Sequence, residues 1–211
     1  MYKQKSGFLV GFLLLFISLQ AEAGSVGKKE TSDWELARSE DEIFIFYRWI
    51  TLDSLKTREM RAQFTIDADV DKILHQFSDA DNYHSWAAGI KECRIESVSD
   101  SCWIVHNLMN YPWPFKKKDM VARCKVSRNG AETTLIILAE PKFFPEKQGI
   151  ERIQNFKGEW RFVSQENGNT FVDYRVVSYT RPALPRVIQD PVIQRLFIDS
   201  FQDLKQLAET N

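Results

Sequence analysis

The side chains most able to do chemistry, the three histidines, are spread over separate predicted elements. His75, His84 and His106 show no metal-ligand spacing such as HExxH. The chain also contains no GxSxG turn, no P-loop and no glycine-rich dinucleotide turn. Catalytic groups can converge from distant segments, and His106 and Glu159 are the best acid–base candidates for such a site. We therefore assign no catalytic residue, metal ligand or cofactor from the sequence.

The three cysteines allow at most one internal disulfide. Cys102 and Cys124 fall on predicted neighbouring antiparallel strands, so they could be bridged. The alternative, which we favour, is that Cys93, Cys102 and Cys124 are thiols that pack as small apolar residues. No CxxC spacing supports a redox or zinc site.

Asn107 is a polar residue on a strand face that is otherwise apolar. Alternation over Cys102–Met109 places it on one face with Trp103, Val105 and Met109. A buried amide must find hydrogen-bonding partners, and here these are a ligand hydroxyl, a backbone carbonyl or water. We expect this face to contact a ligand.

A second polar group combines Glu159 and Arg161, which share a strand face, with Arg152, which has the opposite parity. Arg152 joins their face only if a β-bulge, for example at Gly158, shifts the register. A buried Arg–carboxylate pair would hydrogen-bond to a sterol hydroxyl or an acyl head group, because a desolvated charge must be paired. The alternative is a solvated strand face with a surface ion pair of little energetic weight.

Two predicted loops carry aromatic residues beside lysines. One is Tyr111–Phe115, followed by Lys116–Lys118, and the other contains Lys142, Phe143 and Phe144. This composition suits a membrane interface, where rings insert and cations meet anionic head groups. Equally, the rings could fold back as a lid over a cavity of the domain itself.

The N-terminus has the pattern of a secretory signal peptide. Lys3 and Lys5 precede an apolar run from Gly7 to Leu19, and Ala21-Glu22-Ala23 supplies small residues before a cleavage site. An uninterrupted membrane span needs about 20 apolar residues, more than this run provides. We expect residues 1–23 to be removed and the protein to be exported, to the periplasm in a Gram-negative host.

The rest of the chain suits a single domain with a sizeable core. Residues 24–33 are small and polar and predict a flexible leader to a domain over 34–211. The formal net charge of −1 gives no basic face of the kind that binds nucleic acid. Aromatic residues make up 13% of the chain, which suits a thick core or a cavity walled with rings. We expect a monomer with no nucleic-acid partner.

The apolar patterns predict an α+β fold. The predicted strands and short helices, in chain order, are strands Trp34–Arg38, Ile43–Trp49 and Lys56–Ile66, helices Val70–Phe77 and Tyr83–Trp86, and strands Cys93–Val98, Cys102–Met109, Met120–Val126, Thr133–Leu138, Ile150–Val163 and Thr170–Tyr179. A long helix with one apolar stripe follows Pro185. So many strands must twist and curl. We therefore predict a curled antiparallel β-sheet wrapped around a long C-terminal helix, with two short helices after the third strand.

Several segments resemble START (StAR-related lipid-transfer) domains. Residues 111–121, YPWPFKKKDMV, are similar to the segment between the middle strands of that family, where an aromatic-proline pair, a basic residue and an aspartate precede a strand. Trp86 resembles the tryptophan of the second short helix, Gly149–Phe162 the later glycine–arginine strand, and Tyr174–Pro185 the C-terminal end. The resemblance covers residues 34–208. It implies a helix-grip fold with a tunnel between sheet and helix, and sterols, phospholipids or other apolar ligands as cargo.

Two departures from the family pattern bear on the ligand. Members that bind phosphocholine carry arginine and aspartate where this chain has His84 and Ala87, so the resemblance does not extend to phosphocholine recognition. The family's Gly-Gly ahead of the last proline is replaced by Arg181-Pro182-Ala183-Leu184, which stiffens the approach to the terminal helix.

The sequence thus predicts a protein that binds, or also transfers, a lipid, a sterol or another apolar small molecule, with transient membrane contact. The alternatives are a cyclase- or hydrolase-like enzyme of the same fold and a packed domain without a ligand. The residues on the terminal helix face the sheet under each reading, as core or as ligand contacts. The side chains that we expect to contact the ligand are Tyr83, Trp86, Trp103, Val105, Asn107, Met109, Phe143, Phe144, Arg152, Glu159, Arg161, Ile193, Leu196, Phe197 and Leu204.

Overall fold

The computed structural model describes residues 29–52, 55–87, 89–110, 116–179 and 184–210. Its strands are β1 Lys29–Thr31, β2 Glu35–Glu40, β3 Ile43–Leu52, β4 Leu55–Ile66, β5 Ile90–Ser99, β6 Cys102–Met109, β7 Lys118–Asn129, β8 Glu132–Ala139, β9 Glu151–Arg152, β10 Phe156–Ser164 and β11 Thr170–Ser178. Its helices are α1 Val70–Ser78, α2 Ala80–Trp86 and α3 Arg186–Thr210. The predicted signal peptide, the predicted Tyr111–Phe115 loop and residues 181–183 lie outside the described residues.

The strands form one large sheet that does not close. Its order is β1-β3-β4-β11-β10-β8-β7-β6-β5, with β2 paired to β3 beside β1. Neighbours along this order are antiparallel, whereas the short β9 pairs in parallel with β7. The sheet curls, and α3 and the two short helices pack on its concave side. This architecture confirms the predicted helix-grip class.

Each of the two short helices begins directly after an aspartate that caps it. The Asp69 carboxylate accepts a hydrogen bond of 2.9 Å from the backbone N–H of Lys72, and Asp79 does the same for Asn82 at the start of α2. Each side chain satisfies an N–H group that has no partner within its helix. The apolar face of α1 is buried against the sheet and includes Phe77.

The terminal helix α3 is buried along only half of its length. Ile198, Phe201, Leu204 and Ala208 are fully buried in the core. By contrast, Val187 in the first turn is 82% exposed. The amphipathic stripe therefore anchors the second half of α3 in the grip of the sheet, and the first half lies over its rim.

One predicted strand, Ile150–Val163, is in fact two. The chain leaves the extended ladder at residues 153–155, so β9 pairs with β7 whereas β10 lies between β8 and β11. Gly158 pairs regularly with Ile137 and Val176, and no register shift occurs there. Arg152 therefore does not join the face of Glu159 through a bulge, because residues 153–155 interrupt the strand between them.

The disulfide that the sequence would allow between Cys102 and Cys124 does not form, and Cys93, Cys102 and Cys124 are all free thiols. Their strands are neighbours, but Cys102 lies opposite Lys125 and Cys124 lies opposite Trp103. An offset of one residue turns the two side chains to opposite faces of the sheet. We also find that β1 lies within the segment 24–33 that the sequence analysis treats as a leader.

Candidate functional site

Aromatic rings pack together between the concave side of the sheet and α3. Trp160 on β10 stacks on Tyr174 of β11, with ring centroids 4.0 Å apart, and meets the edge of Phe77 at 4.8 Å. Phe201 of α3 closes this group against Tyr174 at 5.9 Å. Offset and edge-to-face ring pairs add to the stabilisation that burial provides. This group forms the buried centre of the helix grip.

Several predicted ligand contacts belong to this aromatic group. Trp86 meets Phe77 at 4.8 Å and donates its indole N–H to the backbone carbonyl of Gln76 at 3.0 Å. Phe197 stacks near Phe201 at 5.7 Å, and Leu204 is fully buried. Their present neighbours are other side chains of the protein.

Asn107 occupies the predicted inner face of β6. Trp103, Val105 and Met109 share that face, and all four side chains are buried. Neither the Nδ2 nor the Oδ1 atom of Asn107 has a hydrogen-bonding partner among the described residues. The indole N–H of Trp103 is likewise unpartnered there. Because buried polar groups are almost always paired, this inner face has hydrogen-bonding capacity to spare.

Tyr83 of α2 lies beside this face. Burial raises the pKa of the Tyr83 phenol well above its ordinary value, and the neighbouring Cys124 and Tyr174 raise it further. A side-chain hydrogen bond between Asn107 and the Tyr83 phenol lowers the pKa of Tyr83 and so opposes the rise, although neither amide atom of Asn107 has a described partner at full hydrogen-bonding geometry. Tyr83 is therefore a neutral hydroxyl at neutral pH, able to donate or accept one hydrogen bond.

Two thiols complete the polar part of this interior. Cys93 on β5 lies directly opposite Asn107, and Cys124 on β7 is fully buried. Burial raises the pKa of the Cys93 thiol to about 12, and it raises the pKa of Cys124 as well. Both thiols are therefore protonated and weakly nucleophilic. Both thiols share the inner face with Asn107, since Cys93 lies opposite Asn107 and Cys124 lies opposite Trp103.

The outer face of the sheet holds a different cluster, in which Arg152 and His106 meet at Asp119. Arg152 donates to both Asp119 oxygens, at 2.9 and 2.5 Å, and the two side chains are almost completely buried. His106 Nε2 lies 3.0 Å from Oδ2 of Asp119. The predicted buried Arg–carboxylate pair thus exists, but its acid is Asp119 and not Glu159.

Arg152 also holds the loop that carries Phe143 and Phe144. Its guanidinium donates to the backbone carbonyls of Pro141, Phe144 and Pro145 at 2.8, 2.6 and 3.1 Å. All of these acceptors belong to one loop, so Arg152 fastens that loop to β7. Its role in the structure is to position backbone.

The electrostatics of Asp119 follow from these contacts. Burial by itself would raise the pKa of Asp119, but the hydrogen bonds from Arg152 and His106 outweigh it and hold the pKa below the ordinary value of 3.8. The carboxylate is therefore charged at neutral pH and favours the native loop conformation.

Phe144 packs on this outer face rather than over the concave side. Its ring stacks on His106 at 5.5 Å, and the guanidinium of Arg94 lies 4.8 Å from its centroid. Phe143 meets the edge of Phe144 at 4.9 Å and is 38% exposed. A surface pocket of about 340 Å3 lies between this loop and β5.

Glu159 and Arg161 also lie on the outer face. Arg161 pairs with Glu132 at 2.7 Å, and both side chains are at least 40% exposed. Glu159 pairs with Lys157 at 3.3 Å. These are solvated surface pairs, which was the alternative for this strand. Glu159 and His106 were the predicted acid–base candidates for an enzyme. Neither side chain reaches the concave side of the sheet.

The first half of α3 carries the remaining predicted contacts. Ile193 and Leu196 are half-buried at the rim of the sheet. None of the helices in the described part of the chain has the length and apolar character needed to cross a bilayer. Within the same residues, no group of three potential metal ligands comes together.

The comparisons with known proteins agree with this architecture. No protein-family model matches the sequence. An uncharacterized protein of Pseudomonas aeruginosa, PA1579, is 23% identical over 200 residues, which cover 94% of this chain and 98% of that protein. A fragment of a STAR-related lipid transfer protein from Xanthomonas axonopodis superposes with a TM-score of 0.74 at 20% identity, covering 83% of this chain and 98% of the fragment.

More distant structures share the fold over less of their length or with lower similarity. Human STARD10 has a TM-score of 0.67 at 11% identity, with 83% of this chain and 72% of that chain covered. The Zhui aromatase/cyclase from Streptomyces sp. R1128 has a TM-score of 0.53 at 14% identity, with 72% and 93% covered. The chain therefore has a START-like fold.

Proposed function

We propose that this protein binds a lipid or another apolar small molecule between the concave side of the sheet and α3. The START-like fold supports this, since its structural neighbours include proteins named for lipid transfer. The observation that carries the proposal is the fully buried Asn107 side chain, whose two polar atoms lack partners among the described residues. Leaving a buried polar group unpaired costs about 1–3 kcal/mol. A ligand that supplies the partner would recover this cost.

The chemistry of the inner face indicates what such a ligand carries. Apolar side chains such as Val105 and Met109 flank Asn107, and Tyr83 adds one neutral hydroxyl beside it. A site of this kind accepts a largely apolar molecule with one hydroxyl or carbonyl group near Asn107. The half-buried start of α3, around Ile193, is the place where we propose that the ligand passes in and out.

The proposal includes the cellular setting. With a signal peptide over residues 1–23, the protein would act outside the cytoplasm, where lipids need shielding from water. The aromatic and basic loops would then make transient contact with a membrane during loading. We propose a monomer as the active form.

The enzymatic alternative has less support from this geometry. It needs an acid–base group beside the ligand, and both candidates, His106 and Glu159, lie on the outer face. Tyr83, Cys93 and Cys124 do lie within the interior, but the raised pKa values keep all three protonated near neutral pH. The aromatase/cyclase neighbour has the fold in common with this chain and does not supply the missing group.

Native mass spectrometry of mature protein, purified from its own cell envelope and followed by lipid extraction, tests the proposal. We expect one lipid or apolar metabolite to co-purify at near-stoichiometric level. An Asn107→Leu variant should retain less of it, whereas Asn110→Leu, the same substitution at a nearby exposed position, should retain it fully. Protein that is ligand-free and binds no member of a broad lipid and sterol panel would refute the proposal.

A further inference from the structure

A cluster of cations surrounds Trp49 near the end of β3. The Lys56 ammonium lies 4.6 Å from the centroid of the Trp49 ring, the Arg58 guanidinium 4.7 Å and the Arg186 guanidinium 5.1 Å. Trp49 and Arg58 are paired on β3 and β4, and Arg186 begins α3. The ring holds the three positive charges close together through its negative face. We call these four residues the Trp49 cluster.

The carboxylate that the described residues place in contact with the cluster is Asp190, on the next turn of α3. It forms an ion pair with Arg58 and a longer contact of 3.8 Å with Arg186. Two guanidinium groups thus share one carboxylate. Burial lowers the pKa of Arg186, and the positive charge of Arg58 lowers it further. The cluster therefore has more positive charge than Asp190 neutralises.

Neutral hydrogen-bonding groups converge on the same place. Tyr47 precedes Trp49 by two residues on β3, so the two side chains lie on the same face. The Arg58 guanidinium lies 5.3 Å from the centroid of the Tyr47 ring, and the Gln194 side chain hydrogen-bonds to the Tyr47 phenol. Burial, followed by the charge of Asp190, raises the pKa of Tyr47 to about 12, so the phenol keeps its proton. Tyr47, Trp49, Arg58 and Gln194 line a pocket of about 140 Å3, whose wall also includes the oppositely charged Glu35 and Arg48 and the apolar Leu36 and Ala37.

This pocket borders the interior. Tyr47 packs against the edge of the hydrophobic core, and Gln194 is one helical turn before Phe197 of the aromatic group. The Arg58 and Arg186 side chains are 28% and 24% exposed, so solvent and ions reach them. A molecule at this position would have a charged site at its head and an apolar surface behind it.

We propose that the Trp49 cluster binds the acidic head group, a carboxylate or a phosphate, of an amphiphile whose apolar chain lies between the sheet and α3. Guanidinium groups bind both anions through paired N–H donors, and the Tyr47 hydroxyl can add a third. This inference rests on the proposed function and specifies its ligand as anionic. The Asn107 amide on β6, separated from Arg58 on β4 by the four strands β11, β10, β8 and β7, would contact a polar group farther along the molecule.

The test compares acidic amphiphiles with neutral ones of equal chain length. Delipidated protein is titrated by native mass spectrometry with oleate and oleyl alcohol, and in parallel with oleoyl lysophosphatidate and monoolein. We expect one or both acids to bind about tenfold or more tightly than the matching neutral molecule, since charged hydrogen bonds contribute more than neutral ones. The pair with the larger difference identifies the head group as carboxylate or phosphate.

Substitutions then locate the effect. Arg58→Gln and Arg186→Gln should each weaken binding of the acid about tenfold and leave the neutral amphiphile unchanged. Asp190→Asn removes the competing carboxylate and should strengthen binding of the acid. Arg161→Gln is the matched control, because it removes an arginine from an exposed ion pair on the outer face.

The outcomes separate this inference from the proposed function. If the acidic amphiphiles bind Arg58→Gln and Arg186→Gln with the same affinity as wild type, and the neutral amphiphiles still bind, the head-group site alone is overturned. Failure of all four amphiphiles to bind would overturn both proposals. If Arg58→Gln does not fold, the wild-type protein still decides. Affinity for the acid must fall as NaCl is raised, and affinity for the neutral molecule must not.

Discussion

Replacing Asn107 with leucine separates the cost of the buried amide from its use in ligand binding. The two side chains are similar in volume, so the packing around Val105 and Met109 is largely retained. The variant removes two buried polar atoms that lack partners among the described residues. Because one such group costs about 1–3 kcal/mol, we expect the free energy of unfolding of ligand-free protein to rise by about that amount. The midpoint of thermal unfolding should rise by about 2–4 °C per kcal/mol in a chain of this length.

The same variant should bind its ligand less well. Loss of one hydrogen bond to Asn107 should raise the dissociation constant about two- to tenfold. Because ligand stabilises the folded protein less when its dissociation constant is higher, a given ligand concentration should stabilise the variant less than the wild type. Thermal and urea unfolding of delipidated protein, with and without the ligand identified by mass spectrometry, measures both quantities.

The control and the refuting result are equally specific. Asn110→Leu, at an exposed position just after β6, should change the free energy of unfolding by less than about 0.5 kcal/mol. If ligand-free Asn107→Leu is instead less stable than wild type, the amide has a partner within the protein. Asn107 would then not be available to hydrogen-bond a ligand.

Three further predictions concern the outer cluster, the core and the thiols. Because the pKa of Asp119 is lowered in the folded state, the Asp119 carboxylate stabilises the protein above pH 3.8, and this stabilisation is lost as the pH falls through the folded-state pKa. Asp119→Asn should therefore lower the free energy of unfolding at pH 7. In urea unfolding, the difference between the variant and the wild type should become smaller in acid. Phe201→Ala should lower the free energy of unfolding by about 3–5 kcal/mol, measured by urea titration, because it empties the centre of the aromatic group. Cys124 should react with iodoacetamide at pH 8 only after unfolding, as followed by peptide mass mapping, because burial raises its pKa.

Local patterns were sufficient to predict much of the fold. The apolar face of α1 depends on residues three or four positions apart, and the predicted helix Val70–Phe77 is confirmed as Val70–Ser78. Strand alternation likewise placed Asn107 with Val105 on one face. These features are set by neighbours along the chain, which the sequence displays directly.

Features set by distant contacts could not be predicted in this way. The break between β9 and β10 accompanies the pairing of Arg152 with Asp119 on β7, a contact between residues 33 positions apart that the local pattern does not display. Alternation also fails to tell which face is concave, and for this reason Glu159 and Arg161 were placed among the ligand contacts. The Trp49 cluster was missed because its cations come from a hairpin and from the start of α3.

The uneven burial of α3 means that this one helix should report two different opening processes. Pro191 has no N–H to donate to the carbonyl of Val187, so the first turn is only weakly tied to the rest of the helix. Backbone amides around Phe201 and Leu204 should exchange with deuterium only when the whole domain unfolds. Amides near Ile188 should exchange through local fraying that leaves the core intact. The gradient of exchange rates along α3 would thus measure how often the rim opens while the grip on the second half of the helix holds.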